Sequence, residues 1–195
     1  SRLVTAIIIP ASVQSIGESS FKYCLSLTSV SFEGNSTLAI IHNNAFYRSG
    51  LTSFVVPKSV TSINFQAFSE CFILTSITFE ANSVLETIGN GAFKISGLTS
   101  FQIPKGVSII DGYTFSQTKI TTLHIPRNVT SIGYQAFMNT PLTSVTFEAG
   151  SQLTVIYTQA FQRTRMTTIV IPKSVTDIYP YAFLDSDLFA VTFET

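Results

Sequence analysis

At 195 residues, 45% of them hydrophobic, the chain has the length of one or two ordinary domains, and its eleven basic side chains cancel its eleven acidic ones. That balance excludes the long-range field of a nucleic-acid or anionic-membrane binder. No run reaches the roughly 18 apolar residues of a membrane span and no signal-like segment opens the chain, so membrane insertion by this segment is not expected.

The first predicted element is a strand opening at Val4, and the chain then repeats it. Equivalent starts fall at Leu27, Leu51, Leu74, Leu98, Ile120, Leu142 and Met166, and a ninth strand opens at Leu188, in steps of 22 to 24 residues. A unit this short cannot bury its own apolar face, so the eight repeats must stack into one elongated domain over residues 1–195. Apolar residues stand three and five places after each start, as in Leu27, Val30 and Phe32 or Leu98, Phe101 and Ile103. The last two follow the two-residue period of a strand, with Thr or Ser facing outward between most of them. Strands in register predict a parallel sheet on the concave face. Each strand is followed by Pro (Pro10, Pro57, Pro104, Pro126, Pro172) or by Glu (Glu33, Glu80, Glu148, Glu194). Proline lacks the amide that a continuing ladder needs and should end the strand.

Next in every turn comes Val or Leu three residues before an Ile, beginning with Val13 and Ile16, Leu38 and Ile41. Five residues beyond each such Ile lies a phenylalanine: Phe21, Phe46, Phe68, Phe93, Phe115, Phe137, Phe161 and Phe183. These predict a continuous internal aromatic stack. The remaining length is too short for a long helix. The convex side is therefore expected to hold short turns, 3₁₀ segments or short strands, with the Ala-Phe stretch as one helical or 3₁₀ turn.

Cys24 and Cys71 occupy equivalent positions two repeats apart, where other repeats carry Ser49, Ser96, Thr118, Thr140, Thr164 and Ser186. At about 4.8 Å per rung they stand roughly 10 Å apart, beyond the roughly 7 Å Cα reach of a disulfide, so two free structural thiols are expected.

Segments such as LTSFVVPKSVTSINFQAF (residues 51–68) and LTSVTFEAGSQLTVIYTQAF (142–161) resemble the leucine-rich repeats of the bacterial surface protein A-like (BspA-like, treponemal-type) family. The resemblance covers essentially the whole chain. The general leucine-rich signature is only half met, because Pro-Lys, Pro-Arg, Glu-Ala or Glu-Gly stands where its asparagine region would begin. That departure argues against the ribonuclease-inhibitor and plant-receptor classes. The resemblance implies a mainly β leucine-rich repeat solenoid, secreted or surface-anchored, that adheres to matrix proteins or to other cells. It carries over no catalytic residue and no cofactor.

Among the outward strand positions, Gln102, Thr122, His124 and Thr146 lie on a hydroxyl-rich face suited to a peptide or glycan, although Thr beside Thr also stabilises a sheet without any ligand. Glu33, Lys58, Glu80, Lys105, Arg127, Glu148, Lys173 and Glu194 line one edge, where opposite signs on neighbouring rungs should pair weakly. Lys105 and Arg127 break the alternation and, with Lys119, Arg163 and Arg165, point to a basic C-terminal half. Tyr113, Tyr134, Tyr157, Tyr179 and Tyr181 cluster in the later turns. Tyr134, Tyr157 and Tyr179, with Arg127, Arg163 and Arg165, are the favoured partner-binding set; Gln102, Thr122, His124 and Thr146 are the competing one. His42 and His124 stand without convergent ligands or a nucleophile, so no metal site and no enzyme are expected. Asn35 and Asn128 begin glycosylation sequons.

The expected function is non-enzymatic adhesion or recognition of a protein or glycan on a cell surface or in matrix, from an extracellular or cell-surface location. A passive spacer or stalk is the alternative, and a cytoplasmic protein-interaction scaffold the second. Both ends carry apolar repeat positions without a polar cap, which predicts a longer array or end-to-end self-association.

Overall fold

In the computed structural model, which describes residues 3–195, the chain winds into a parallel β-solenoid of about eight turns, with no helix among the described residues. Four-residue strands line one face: β1 (Ala6–Ile9), β3 (Ser29–Phe32), β5 (Ser53–Val56), β7 (Ser76–Phe79), β10 (Thr122–Ile125), β12 (Ser144–Phe147), β14 (Thr168–Ile171) and β16 (Ala190–Phe193). Two-residue strands ending at the repeated Ile form a second track: β2 (Ser15–Ile16), β4 (Ile40–Ile41), β6 (Ser62–Ile63), β8 (Thr87–Ile88), β9 (Ile109–Ile110), β11 (Ser131–Ile132), β13 (Val155–Ile156) and β15 (Asp177–Ile178).

The third track contains the Ala-Phe stretch, and it is neither a helical nor a 3₁₀ turn. In every repeat two residues four apart adopt the left-handed conformation, from Ser19 and Tyr23 in the first to Tyr181 and Asp185 in the last. This reversal points alternate amides in opposite directions. Ala45 and Ser49 donate back to the carbonyls of His42 and Phe46, while Asn44, Phe46 and Arg48 donate to Phe65, Ala67 and Ser69 of the next repeat at 2.9, 2.8 and 3.0 Å. The same three-bond link recurs at every junction along the chain. A helical turn would direct those amides along its own axis and leave the neighbouring repeat without donors.

Inside this track the eight phenylalanine rings form the expected stack, with centroids 5.1 to 5.7 Å apart and planes within 18° of parallel. Hydroxyls close the same turns: Thr118, Thr140, Thr164 and Ser186 each donate to the carbonyl of the Phe three residues earlier. Cys24 and Cys71 are both free thiols. Cys71 is buried, its Sγ lying 3.0 Å from the Phe46 carbonyl and 3.4 Å from the Ser49 hydroxyl, and burial pushes its pKa up.

The strands are parallel as expected, yet the four-residue track is not one sheet. It divides into the pairs β1–β3, β5–β7, β10–β12 and β14–β16, each joining a rung that ends in Pro to a following rung that ends in Glu. The reason lies one residue beyond the Pro. The carboxylates of Glu33, Glu80, Glu148 and Glu194 accept hydrogen bonds from the backbone amides of Ala11, Lys58, Arg127 and Lys173, at 2.9 to 3.4 Å. Proline ends the backbone ladder and the next rung's side chain continues it. Glu rungs also carry two extra residues before their inward Leu, and these hold the left-handed Asn35, Asn82 and Gly150. Between pairs the rungs splay, with Phe32 set edge-on to Phe54 and Phe79 to Phe101.

Nine rungs grouped as Pro-then-Glu pairs leave one without a partner. The Pro104 rung is followed by the Pro126 rung, and residues 98–103 form no strand. The second track breaks in the same repeat, dividing into β2-β4-β6-β8 and β9-β11-β13-β15. Ser59 and Ser174 each donate to the inward Leu carbonyl of the preceding repeat at 2.7 Å, whereas Gly106 stands at the equivalent position here. A Cβ on Gly106 would lie 2.4 Å from the Leu85 carbonyl oxygen, so the close approach requires glycine.

Phe93→Ala should remove about 3–5 kcal/mol of stability in a denaturant titration, because the ring is fully buried between two others. Ile95 is a β-branched residue held at a φ of 57°, so Ile95→Asn should raise stability by about 1 kcal/mol in the same assay.

Candidate functional site

The unpartnered rung opens a groove of about 890 Å³ on the four-residue strand face, between β7 and β10. Ile77, Phe79, Phe101 and Ile103 supply its apolar lining; Ser76, Thr78, Gln102, Thr122 and His124 supply polar groups; Glu80, Lys105 and Glu148 bring charge. The segment that runs through it is tied at its start by backbone bonds and at its end by Asn128 Nδ2, which donates to the Lys105 carbonyl at 2.9 Å. Thr99 donates to the Thr75 carbonyl at 3.3 Å and Lys119 donates to the Leu98 carbonyl at 2.8 Å. Among the described residues, the amides of Ser100, Phe101, Gln102 and Ile103 make no backbone hydrogen bond to β7 or β10. The amide of Lys105, which follows Pro104, faces a rung with Pro126 where the other four such amides meet a Glu.

On the groove's far wall, Arg127 and Glu148 form an ion pair at 3.4 Å while the Arg127 amide donates to the same carboxylate at 3.0 Å. That backbone hydrogen bond, aided by the charges of Arg127, Lys105 and His124, holds the Glu148 carboxyl below the usual carboxylate range. His124 Nδ1 lies 3.0 Å from the Thr146 hydroxyl. The first outward Thr of several rungs is engaged by the scaffold: Thr28, Thr52, Thr75, Thr99 and Thr143 donate to the carbonyl of the preceding rung's Thr. Gln102 and Thr122 are exposed in the groove.

The structure brings Gln102, Thr122, His124 and Thr146 to one face and separates the other predicted set. Tyr157 stacks on Tyr179 at 5.3 Å, while Tyr134 packs edge-on against Tyr113 at 5.2 Å, so the tyrosines form two pairs rather than one ladder. Arg163 is held by Asp185 at 3.2 Å and Arg127 by Glu148, which reduces the expected basic character of the C-terminal half; Arg165 is exposed. Of the alternating edge charges, Arg127 with Glu148 is the pair within ion-pair distance among the described residues. An N-terminal cluster went unread in the sequence because its members occupy different phases of three repeats. Tyr47 donates to Glu70, Arg48 pairs with Glu70 at 3.0 Å, and Lys22 lies over the Tyr23 and Tyr47 rings. The Tyr47 hydroxyl is pushed up to about 12, first by its hydrogen bond to Glu70 and then by burial. No group of three or more His, Cys, Asp or Glu side chains converges as a metal site among the described residues.

A model of the BspA-type leucine-rich repeat region matches residues 1–118 and 86–195 in six copies, and the chain belongs to that family. No curated protein matches it significantly. Among solved structures, the pneumococcal vaccine antigen PcpA is 18% identical with a TM-score of 0.50, and a leucine-rich repeat protein from Bacteroides ovatus is 20% identical with a TM-score of 0.49. Both alignments span 98% of this chain, which covers 62% and 63% of the two structures. PcpA shares the fold.

The depressed Glu148 pKa carries a sign. Its contribution to the β10–β12 pair is present above the ordinary Glu value and is lost as pH falls through the lowered folded value. A side-chain NMR titration should therefore place the Glu148 midpoint below that of a free Glu. Protection of the Arg127 amide, measured against its intrinsic exchange rate at each pH, should fall as pH drops through that midpoint.

Proposed function

We propose that this chain is a non-enzymatic recognition module that displays its strand face from the cell surface or the extracellular space and binds a protein or glycan on another cell or in matrix. The observation that carries this reading is the groove around residues 98–105, because among the described residues it is the one place where the repeat template lapses in both strand tracks and leaves backbone amides without scaffold partners. Membership of the BspA-type family supports the surface location, as does a repetitive fold that offers surface rather than an enclosed reaction site. The groove favours Gln102, Thr122 and His124 over the tyrosine set, whose members are divided between two self-packed pairs.

The second reading is a passive spacer, and the unbroken turn track favours it by making the coil a continuous rod. Binding of labelled chain to intact cells and to matrix separates the two. Saturable binding is expected, with a Gln102→Ala, Thr122→Ala, His124→Ala variant weakened by about tenfold or more, as for central interface residues. A Tyr134→Ala, Tyr157→Ala, Tyr179→Ala variant should stay near the parent, both variants keeping the parent's circular dichroism. No saturable binding would leave the spacer reading in place, and loss confined to the tyrosine variant would move the site to the C-terminal edge.

A further inference from the structure

We propose that the groove receives an extended peptide strand of the form apolar–x–Phe–Glu, whose backbone pairs with the open amides of residues 100–103 and whose carboxylate closes on the amide of Lys105. The inference rests on the recognition reading above and names the partner of that same site.

The form of the occupant follows from the other four Pro rungs. Each is completed by a following strand whose last two residues are Phe and Glu: Phe32-Glu33, Phe79-Glu80, Phe147-Glu148 and Phe193-Glu194. In each case the carboxylate accepts the amide one residue past the Pro. The Pro104 rung (LTSFQIPK, residues 98–105) repeats the Pro57 rung (LTSFVVPK, residues 51–58) at all but two positions, but its successor is another Pro rung. Among the described residues every four-residue strand has one ladder partner, whereas residues 98–103 have none. A ready strand edge, an uncapped amide and the exposed Lys105 ammonium are thus collected in one groove, which is how strand addition captures an extended peptide. Its volume falls within the roughly 300–1,000 Å³ typical of ligand sites.

The groove's chemistry limits the peptide further. Phe79 and Phe101 line it and favour an apolar residue beside the incoming backbone, while Glu80 and Glu148 disfavour a second acid near Lys105. A glycan would engage Gln102, Thr122 and His124 through their side chains and would not need the amides of residues 100–103.

The test uses the whole chain and the peptide LTSVTFEA, which copies residues 142–149. Calorimetric titration should give saturable binding. Hydrogen exchange should slow about tenfold or more at alternate amides between Ser100 and Ile103 and at Lys105, the two-residue signature of a strand edge becoming paired. Changing the peptide's Glu to Gln, or the protein's Lys105→Glu, should weaken binding by about tenfold through loss or reversal of a charge-assisted contact. Lys105 is exposed, so that variant is expected to fold normally, as its circular dichroism will verify.

Absence of binding, binding without slowed exchange at these amides, or equal affinity for the Glu and Gln peptides would overturn the proposal. If the peptide fails while the Gln102, Thr122, His124 variant still loses cell attachment, the strand-peptide inference falls and the recognition reading stands. If neither peptide nor cells bind, both fall.

Discussion

The solenoid depends on the left-handed turn. Two residues of positive φ in each repeat send alternate amides forward to the next repeat, and that link is made at every junction. The eight stacked phenylalanines lie just inside it, so hydrogen bonding and apolar burial act along the same line. Because each repeat satisfies its neighbour's backbone as well as its own, the free energy of the fold resides in the interfaces between repeats rather than within any one of them.

With the turn track intact, the strand face is free to be irregular. Proline stops each ladder, and the bond it interrupts is replaced wherever the next rung brings a Glu. The same rule creates an exception at the centre of the chain, where two Pro rungs follow one another. Gly106, the interrupted second track and the open segment at 98–103 all belong to that repeat. The local lapse leaves the fold intact because Gly91, Phe93 and Ile95 still donate to Gly112, Thr114 and Ser116 across the turn track.

Recognition by such a molecule has a plain physical basis. The first outward Thr hydroxyl of several rungs is committed to a neighbouring carbonyl, and four of the five amides that follow a strand-ending Pro are committed to carboxylates. Where one commitment is missing, backbone and side-chain groups remain available to a partner without any unfolding of the scaffold. The two tyrosine pairs and the Lys22, Tyr23, Tyr47, Arg48 and Glu70 cluster are exposed chemistry of a different kind, already engaged with itself.

The sequence by itself determined the period, the solenoid, the inward positions and the phenylalanine stack, since each depends on the residues that recur at one phase of a repeat. It also determined that the two cysteines stay unpaired, because positions two rungs apart lie beyond the reach of a disulfide. The shape of the Ala-Phe turn was not legible in it: residues as different as Tyr23, Arg48, Ile95 and Asp185 occupy one left-handed position, held there by bonds to the next repeat rather than by their own preference. The alternation of Pro and Glu was visible as letters, but its meaning was not. Only the stacking of one rung on the next showed that Glu80 reaches the Lys58 amide and that, among the described residues, no carboxylate accepts the Lys105 amide. Tertiary structure decided the groove for that reason, because a missing partner is a property of two adjacent rungs and belongs to neither one alone.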